Sequence, residues 1–255
     1  MKLDQEILNS FKLQPTLCPT VWDLEENPPQ LKNEVKLNLI KVSELFRDFI
    51  GVDFFVEDII MTGSLANYNW SKFSDVDLHL VVDFTQFEED KLELYTELFK
   101  VKKTIFNNVH NIKIYGFDVE VYVQDSNESH FSSGVYSVLY DEWLVTPKHE
   151  KIDVDKKILK EKINQWINII DGVTETTTGM SADESKELID KYRDKLKKFR
   201  GCGLEKGGEF SYENIVFKYL RRSGHIEKLF DTANKETDKE LSVERTIQEY
   251  SNNSH

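Results

Sequence analysis

A run of strictly alternating residues constrains this chain more than any other stretch. From Asp75 to Val82 it reads Asp-Val-Asp-Leu-His-Leu-Val-Val. A β-strand turns successive side chains to opposite faces. Val76, Leu78, Leu80 and Val82 therefore share one face, and Asp75, Asp77, His79 and Val81 the other. The aliphatic face predicts a covered core. Two carboxylates side by side on the second face repel, at a cost in free energy unless a cation compensates. Mg2+ prefers such oxygen-rich clusters and commonly shares them with substrate phosphates.

A second acidic strand is predicted within Ile112–Val123, with a tight hairpin around Gly116. Alternation there puts Val119, Val121 and Val123 on one face and Asp118, Glu120 and Tyr122 on the other. Upstream, Asp58–Thr62 reads as a short buried strand that ends at Gly63-Ser64. A Gly-Ser step leaving a strand into a helical turn lets the backbone approach a phosphate closely. Ten residues, 65–74, then separate Ser64 from Asp75. That is enough for a turn and a return to the adjacent strand.

Around these strands the periodicity is helical. Leu31, Val35, Leu39, Val42, Leu45, Phe46 and Phe49 predict a helix over 31–50, with Gly51 as its stop. Residues 85–109 predict another, with Leu92, Leu94, Tyr95, Leu98, Phe99, Ile105 and Phe106 as its apolar face. Residues 134–146 read as a last hairpin. Beyond Pro147 the pattern is helical over 153–171, 181–199 and 211–235. Ser181-Ala-Asp-Glu184 forms a capping box, and Gly201, Gly203, Gly207 and Gly208 punctuate the last two helices. The expected division is 1–150, with its core near 55–125, and a helical 151–255 with a polar, frayed tail from about residue 236.

Composition narrows the partners. The net charge of −13 repels phosphate backbones, so bulk binding to duplex DNA or to an anionic membrane is not expected. Cys18 and Cys202 stand far apart in no metal-ligand spacing and read as free thiols. The charged start MKLDQEILNSFK is not a signal peptide, and no apolar run reaches the length of a membrane span. A cytoplasmic protein is expected.

The stretch GSLANYNWSKFSDVDLHLVV is similar to the signature of the polymerase-β-like nucleotidyltransferase superfamily: strand, Gly-Ser, about ten residues, then Ser-Asp-x-Asp and aliphatics. That superfamily carries a third carboxylate on a later aliphatic-acid-aliphatic strand. Val119-Glu120-Val121 matches best, and Phe117-Asp118-Val119 is the alternative. The third acid is most often Asp; Glu120 is longer, which shifts the coordination geometry. The resemblance covers roughly 55–125, and the whole chain also resembles uncharacterised members encoded by large tailed phages. It implies an α+β fold: a small mixed-sheet catalytic core with helices on one face, followed by a C-terminal helical region. It also implies that Asp75, Asp77 and Glu120 (or Asp118) bind Mg2+ or Mn2+, and that Gly63 and Ser64 bind the triphosphate. The NTP donor is expected to be ATP. The acceptor is expected to be a small molecule, a protein or an RNA end.

Other residues read two ways. Ser74 braces the turn before Asp75 and so adjoins the nucleotide. Lys218, Arg221 and Arg222 lie one turn apart and either meet phosphates, as basic residues of the helical region often do in this superfamily, or form a solvated face. Lys218 and Arg222 are the candidate phosphate contacts. Tyr136 and Ser137 are candidates for base or sugar contact. His79 reads as structural, and Tyr68, Asn69 and Trp70 as packing. Two other functions fit the same motif: nucleotide addition to an RNA end or a signalling oligonucleotide, and a catalytically degenerate protein that only binds nucleotide or a partner.

Overall fold

Alternation over Val76–Val82 produces the strand it predicts, and the neighbouring elements assemble around it. The structure, a computed structural model, describes residues 3–128, 132–149, 154–177 and 179–242. The chain divides into two compact units: Leu8–Ile152, and Asp153–His255 together with Met1–Ile7. The first residues join the helical unit, where the Asp4 N–H donates to the Tyr219 hydroxyl (2.9 Å).

After a short helix α1 (Gln5–Asn9), a ribbon of β1 (Trp22–Asp23) and β2 (Gln30–Leu31) leads into α2 (Asn33–Ile50). Gly51 ends α2 in the left-handed conformation, as glycine permits. Then follow β3 (Asp58–Thr62), β4 (Val76–Val82), α3 (Leu92–Val109), β5 (Lys113–Ile114), β6 (Phe117–Asp125), β7 (Val135–Ser137) and β8 (Glu142–Val145). The sheet runs β5-β6-β4-β3-β7-β8. β4 and β6 are parallel and every other pair is antiparallel. The fold is therefore mixed α/β, with a six-stranded mixed sheet and, among the described residues, seven α-helices. The expected hairpin turns at Tyr115-Gly116, both at positive φ, the pattern of a type I′ turn.

Ile59, Met61, Val76, Leu78, Leu80, Val119 and Val121 share one buried core with Val35, Leu39 and Phe46 of α2 and Phe99 and Phe106 of α3. Helices thus cover the aliphatic face of the sheet. The Asn107 side chain both donates to and accepts from the backbone of Val121 (3.2 Å each). It pairs the edge of β6 where β5 has ended, a protection that exposed strand edges need.

Two expectations change in this unit. The α-helix begins at Leu92, not 85, because Asp83 caps a separate 3-10 turn by accepting the Thr85 N–H, and Phe87 and Glu88 are extended. Its apolar residues also split between two faces: Phe99 and Phe106 are buried, while Leu94 and Ile105 are exposed.

The helical unit comprises α4 (Lys156–Thr176), α5 (Ala182–Gly207), α6 (Tyr212–Arg222) and α7 (His225–Leu241). The Ser181–Glu184 capping box forms as expected. The helix expected over 211–235 is two, because Gly224 turns left-handed after Ser223. Gly201 and Gly203 do not punctuate; they lie inside α5. A Cβ on Gly203 would stand 2.4 Å from that of Glu213, so this glycine lets α5 and α6 approach closely. The polar tail from 236 is helical as far as Leu241, and its remainder from 243 lies outside the described residues. Among the described residues no helix is long and apolar enough to cross a membrane. Cys18 and Cys202 are free thiols.

Candidate functional site

The acidic ends of β4 and β6 meet because the two strands are parallel and in register. Asp77 is the direct partner of Glu120, and Thr62 of β3 is the partner of Asp77 on its other side. Asp75 directly precedes β4. One oxygen from each of Asp75, Asp77 and Glu120 lies within 4.8 Å of the other two. Three carboxylates so close repel one another in the absence of a cation. Their all-oxygen donor set fits a hard divalent ion. Asp118 lies outside this group: it forms a salt bridge with Lys113, its partner across the hairpin, on an exposed edge.

The Gly63-Ser64 step closes onto the same carboxylates. Gly63 adopts φ 74°, and a Cβ there would stand 1.8 Å from Oδ2 of Asp77. Only a residue without a side chain lets β3 leave the sheet against that carboxylate. Ser64 opens a 3-10 turn, Ser64–Ala66. Its hydroxyl shares a 2.7 Å hydrogen bond with that of Ser74, which also accepts the Ser71 N–H (2.9 Å). Both serines are buried. Together they tie the turn after β3 to the turn before β4, so the brace expected of Ser74 is present.

Ser132–Gly134 contributes a third segment that sequence reasoning missed. The Gly63 N–H donates to the Ser132 hydroxyl (3.3 Å), and the Asn67 side-chain amide to that of Ser133 (2.5 Å). A Cβ on Gly134 would lie 1.9 Å from the Ala66 carbonyl oxygen. The Ser-Ser-Gly composition was the available signal, but nothing local assigns its partner.

Beneath the carboxylates lies a buried polar row. His79 bonds to Thr62 through one ring nitrogen (3.0 Å) and to Gln124 through the other, and packs on Tyr122 with centroids 3.8 Å apart. The expected structural role of His79 matches these contacts. Burial, and then the charges of Asp77, Glu128 and Glu120, push the Tyr122 phenol far above its ordinary value. It stays a neutral O–H beside the acidic cluster.

Tyr136 is fully buried against Trp22 and Trp143, and its hydroxyl donates to Asp141 (2.7 Å). Ser137, also buried, donates to Asp58 (2.8 Å). Both are packing residues, contrary to the expected base or sugar contact. Lys218 and Arg222 lie on α6 of the helical unit. Trp70 packs as expected, its indole donating to the Thr16 carbonyl (2.8 Å). Compared with protein-family models, curated proteins and solved structures, the chain matches none.

Proposed function

We propose that this chain is a metal-dependent nucleotidyltransferase with the catalytic core of the polymerase-β-like superfamily. One observation carries the reading: the carboxylates of Asp75, Asp77 and Glu120 converge within 4.8 Å beside the turn at Gly63-Ser64. The spacing that motivated the resemblance thus coincides with a spatial cluster of the chemistry it implies.

In this reading Asp75, Asp77 and Glu120 hold Mg2+, or Mn2+ in its place. The bound ion would supply Lewis-acid neutralisation of the triphosphate and lower the pKa of the attacking hydroxyl. The turn at Gly63-Ser64 positions the triphosphate of an NTP, ATP above all. The Ser64 hydroxyl is engaged with Ser74, so Ser74 acts by fixing that turn. An acceptor oxygen attacks the α-phosphorus in line, the bond from that phosphorus to the bridging oxygen breaks, and pyrophosphate leaves. The Glu120 carboxylate takes up the proton of an acceptor hydroxyl. The net charge of −13 favours a small molecule or a protein over a long nucleic acid as acceptor, in a cytoplasmic setting.

The test is transfer of label from each α-³²P NTP to candidate acceptors with Mg2+ or Mn2+, alongside the Asp75→Ala/Asp77→Ala variant. Label transfer by the wild type and a loss of at least ~10³-fold in the variant are expected, as for removal of transition-state charge stabilisation. Divalent ions that neither strengthen NTP binding nor support pyrophosphate release would refute catalysis and leave a binding protein.

A further inference from the structure

We propose that the cleft between α4, α5 and α6 of the helical unit binds a small organic phosphate that carries a ring system. The cleft has a volume of about 620 Å³, inside the range of roughly 300–1,000 Å³ that small-molecule sites occupy. Lys195, Lys198, Cys202 and Lys206 line it from α5. Their three- and four-residue spacing puts them on one stripe of that helix. Trp166 of α4, Phe199 of α5 and Tyr212 of α6 add three aromatic rings. Trp166 and Phe199 meet with ring centroids 5.2 Å apart and planes at 54°. The Tyr212 hydroxyl accepts the Asp155 N–H (2.7 Å), which fixes that ring and occupies its polar tip. Every residue involved lies in the helical unit, so this site stands or falls separately from nucleotidyl transfer.

Charge specifies the occupant. Residues 191–206 carry seven bases and two acids in a chain whose net charge is −13, so the local balance opposes that of the whole protein. The three cleft lysines are exposed. Among the described residues, neither Lys198 nor Lys206 has an ion-pair partner, and Lys195 lies over the ring of Tyr192 on its own helix, 5.7 Å away. Glu213, the carboxylate of the lining, is already paired with Lys162 (3.1 Å). Rings and uncompensated cations in one concave site fit a ligand that has both a flat apolar body and negative charge. Lysine is a compact point charge that suits phosphate, whereas carboxylate recognition favours the planar fork of arginine. Arg200 of the same helix is engaged elsewhere: its Nε donates to Asn214 (3.1 Å), and its guanidinium lies over Phe217 (4.5 Å). The ring of the ligand stacks on the aromatic residues and its phosphate meets Lys198 and Lys206.

Cys202 is a built-in reporter, because it lines the cleft and is exposed while Cys18 is buried. The test measures how 1-naphthyl phosphate slows the alkylation of Cys202 by iodoacetamide in the full chain, with divalent ions chelated. Half-protection is expected below ~1 mM. 1-Naphthol and inorganic phosphate, each with half of the recognised chemistry, should need concentrations at least ~10-fold higher. Lys198→Glu and Lys206→Glu should each raise the half-protecting concentration of the ester at least ~10-fold. Lys197→Glu, exposed on the same helix but outside the lining, should change it less than ~2-fold, since solvent screens a charge that makes no contact. Absence of protection at ~10 mM ester overturns the proposal. Equal protection by 1-naphthol overturns it in favour of a merely apolar cleft, and equal protection by inorganic phosphate in favour of an adventitious ion only. Equal effects of all three lysine variants overturn it in favour of general charge attraction.

Discussion

Gly63 and Gly134, in the α/β unit, stand where an added Cβ would meet a neighbour at 1.8 and 1.9 Å. Gly172 and Gly201, inside helices of the other unit, have nothing within 4 Å. The first pair lies where three chain segments converge on the acidic end of the sheet, so its glycines are packing requirements. The second pair lies on amphipathic helices that already bury an apolar face, and there glycine supplies only extra freedom to the unfolded chain. Backbone crowding, more than side-chain hydrophobicity, thus dictates the two glycines at the candidate site.

Four outcomes sharpen or break this contrast, and Gly134→Ala should have the largest effect. A methyl group there meets the Ala66 carbonyl, a backbone atom tied into the turn, and should cost about 3 kcal/mol as overpacking. Urea unfolding measures it, and a loss under about 1 kcal/mol would show that the converging segments can part. Gly201→Ala should act in the opposite direction, stabilising by about 0.5–1 kcal/mol because alanine replaces glycine in a helix without a clash.

Glu120→Gln addresses the charge at the site. With divalent ions chelated, removing one of three crowded carboxylates should stabilise the fold by roughly 0.5 kcal/mol. An added divalent cation should reverse the order by stabilising the wild type more. If Glu120→Gln destabilises the chelated protein, the carboxylates are not in mutual repulsion.

The smallest effect concerns pH in the helical unit. Burial, foremost, holds the His225 imidazole below its ordinary 6.5, while Asp171 pulls in the other direction. The folded state thus binds this proton less readily than the unfolded chain. Stability should begin to fall as pH drops through 6.5 and continue to do so down to the lowered folded value. His225→Gln should flatten that part of a melting-temperature profile. An unchanged slope would assign it to other groups.

Much of the α/β unit was legible because its signals are local. The alternation of Val76–Val82 specified both faces of β4, and Tyr115-Gly116 specified the turn that sets β5 against β6. The start of α3 was not legible, because the apolar pattern runs through Phe87 while the Asp83 cap and two extended residues interrupt the helix. The break at Gly224 was hidden in the same way, since apolar spacing continues from α6 into α7. The pairing of Ser132–Gly134 with the Gly63–Asn67 turn depends on residues about 70 positions apart, and no periodicity reports such a contact.

At the Gly63 step the division between the two kinds of information is clearest. By itself the amino-acid sequence determined that Asp75 and Asp77 share a strand face, because side chains on a strand alternate with period two. Gly-Ser at the end of β3 was legible for the same local reason. Only the tertiary structure decided between Glu120 and Asp118 as the third member of the cluster. Both lie on the same face by alternation, and the choice depends on the parallel register of β4 with β6, which pairs Glu120 with Asp77 and leaves Asp118 to Lys113. Tertiary packing also gave Gly63 a reason that its sequence neighbours do not contain: the Asp77 carboxylate occupies the space a side chain would need.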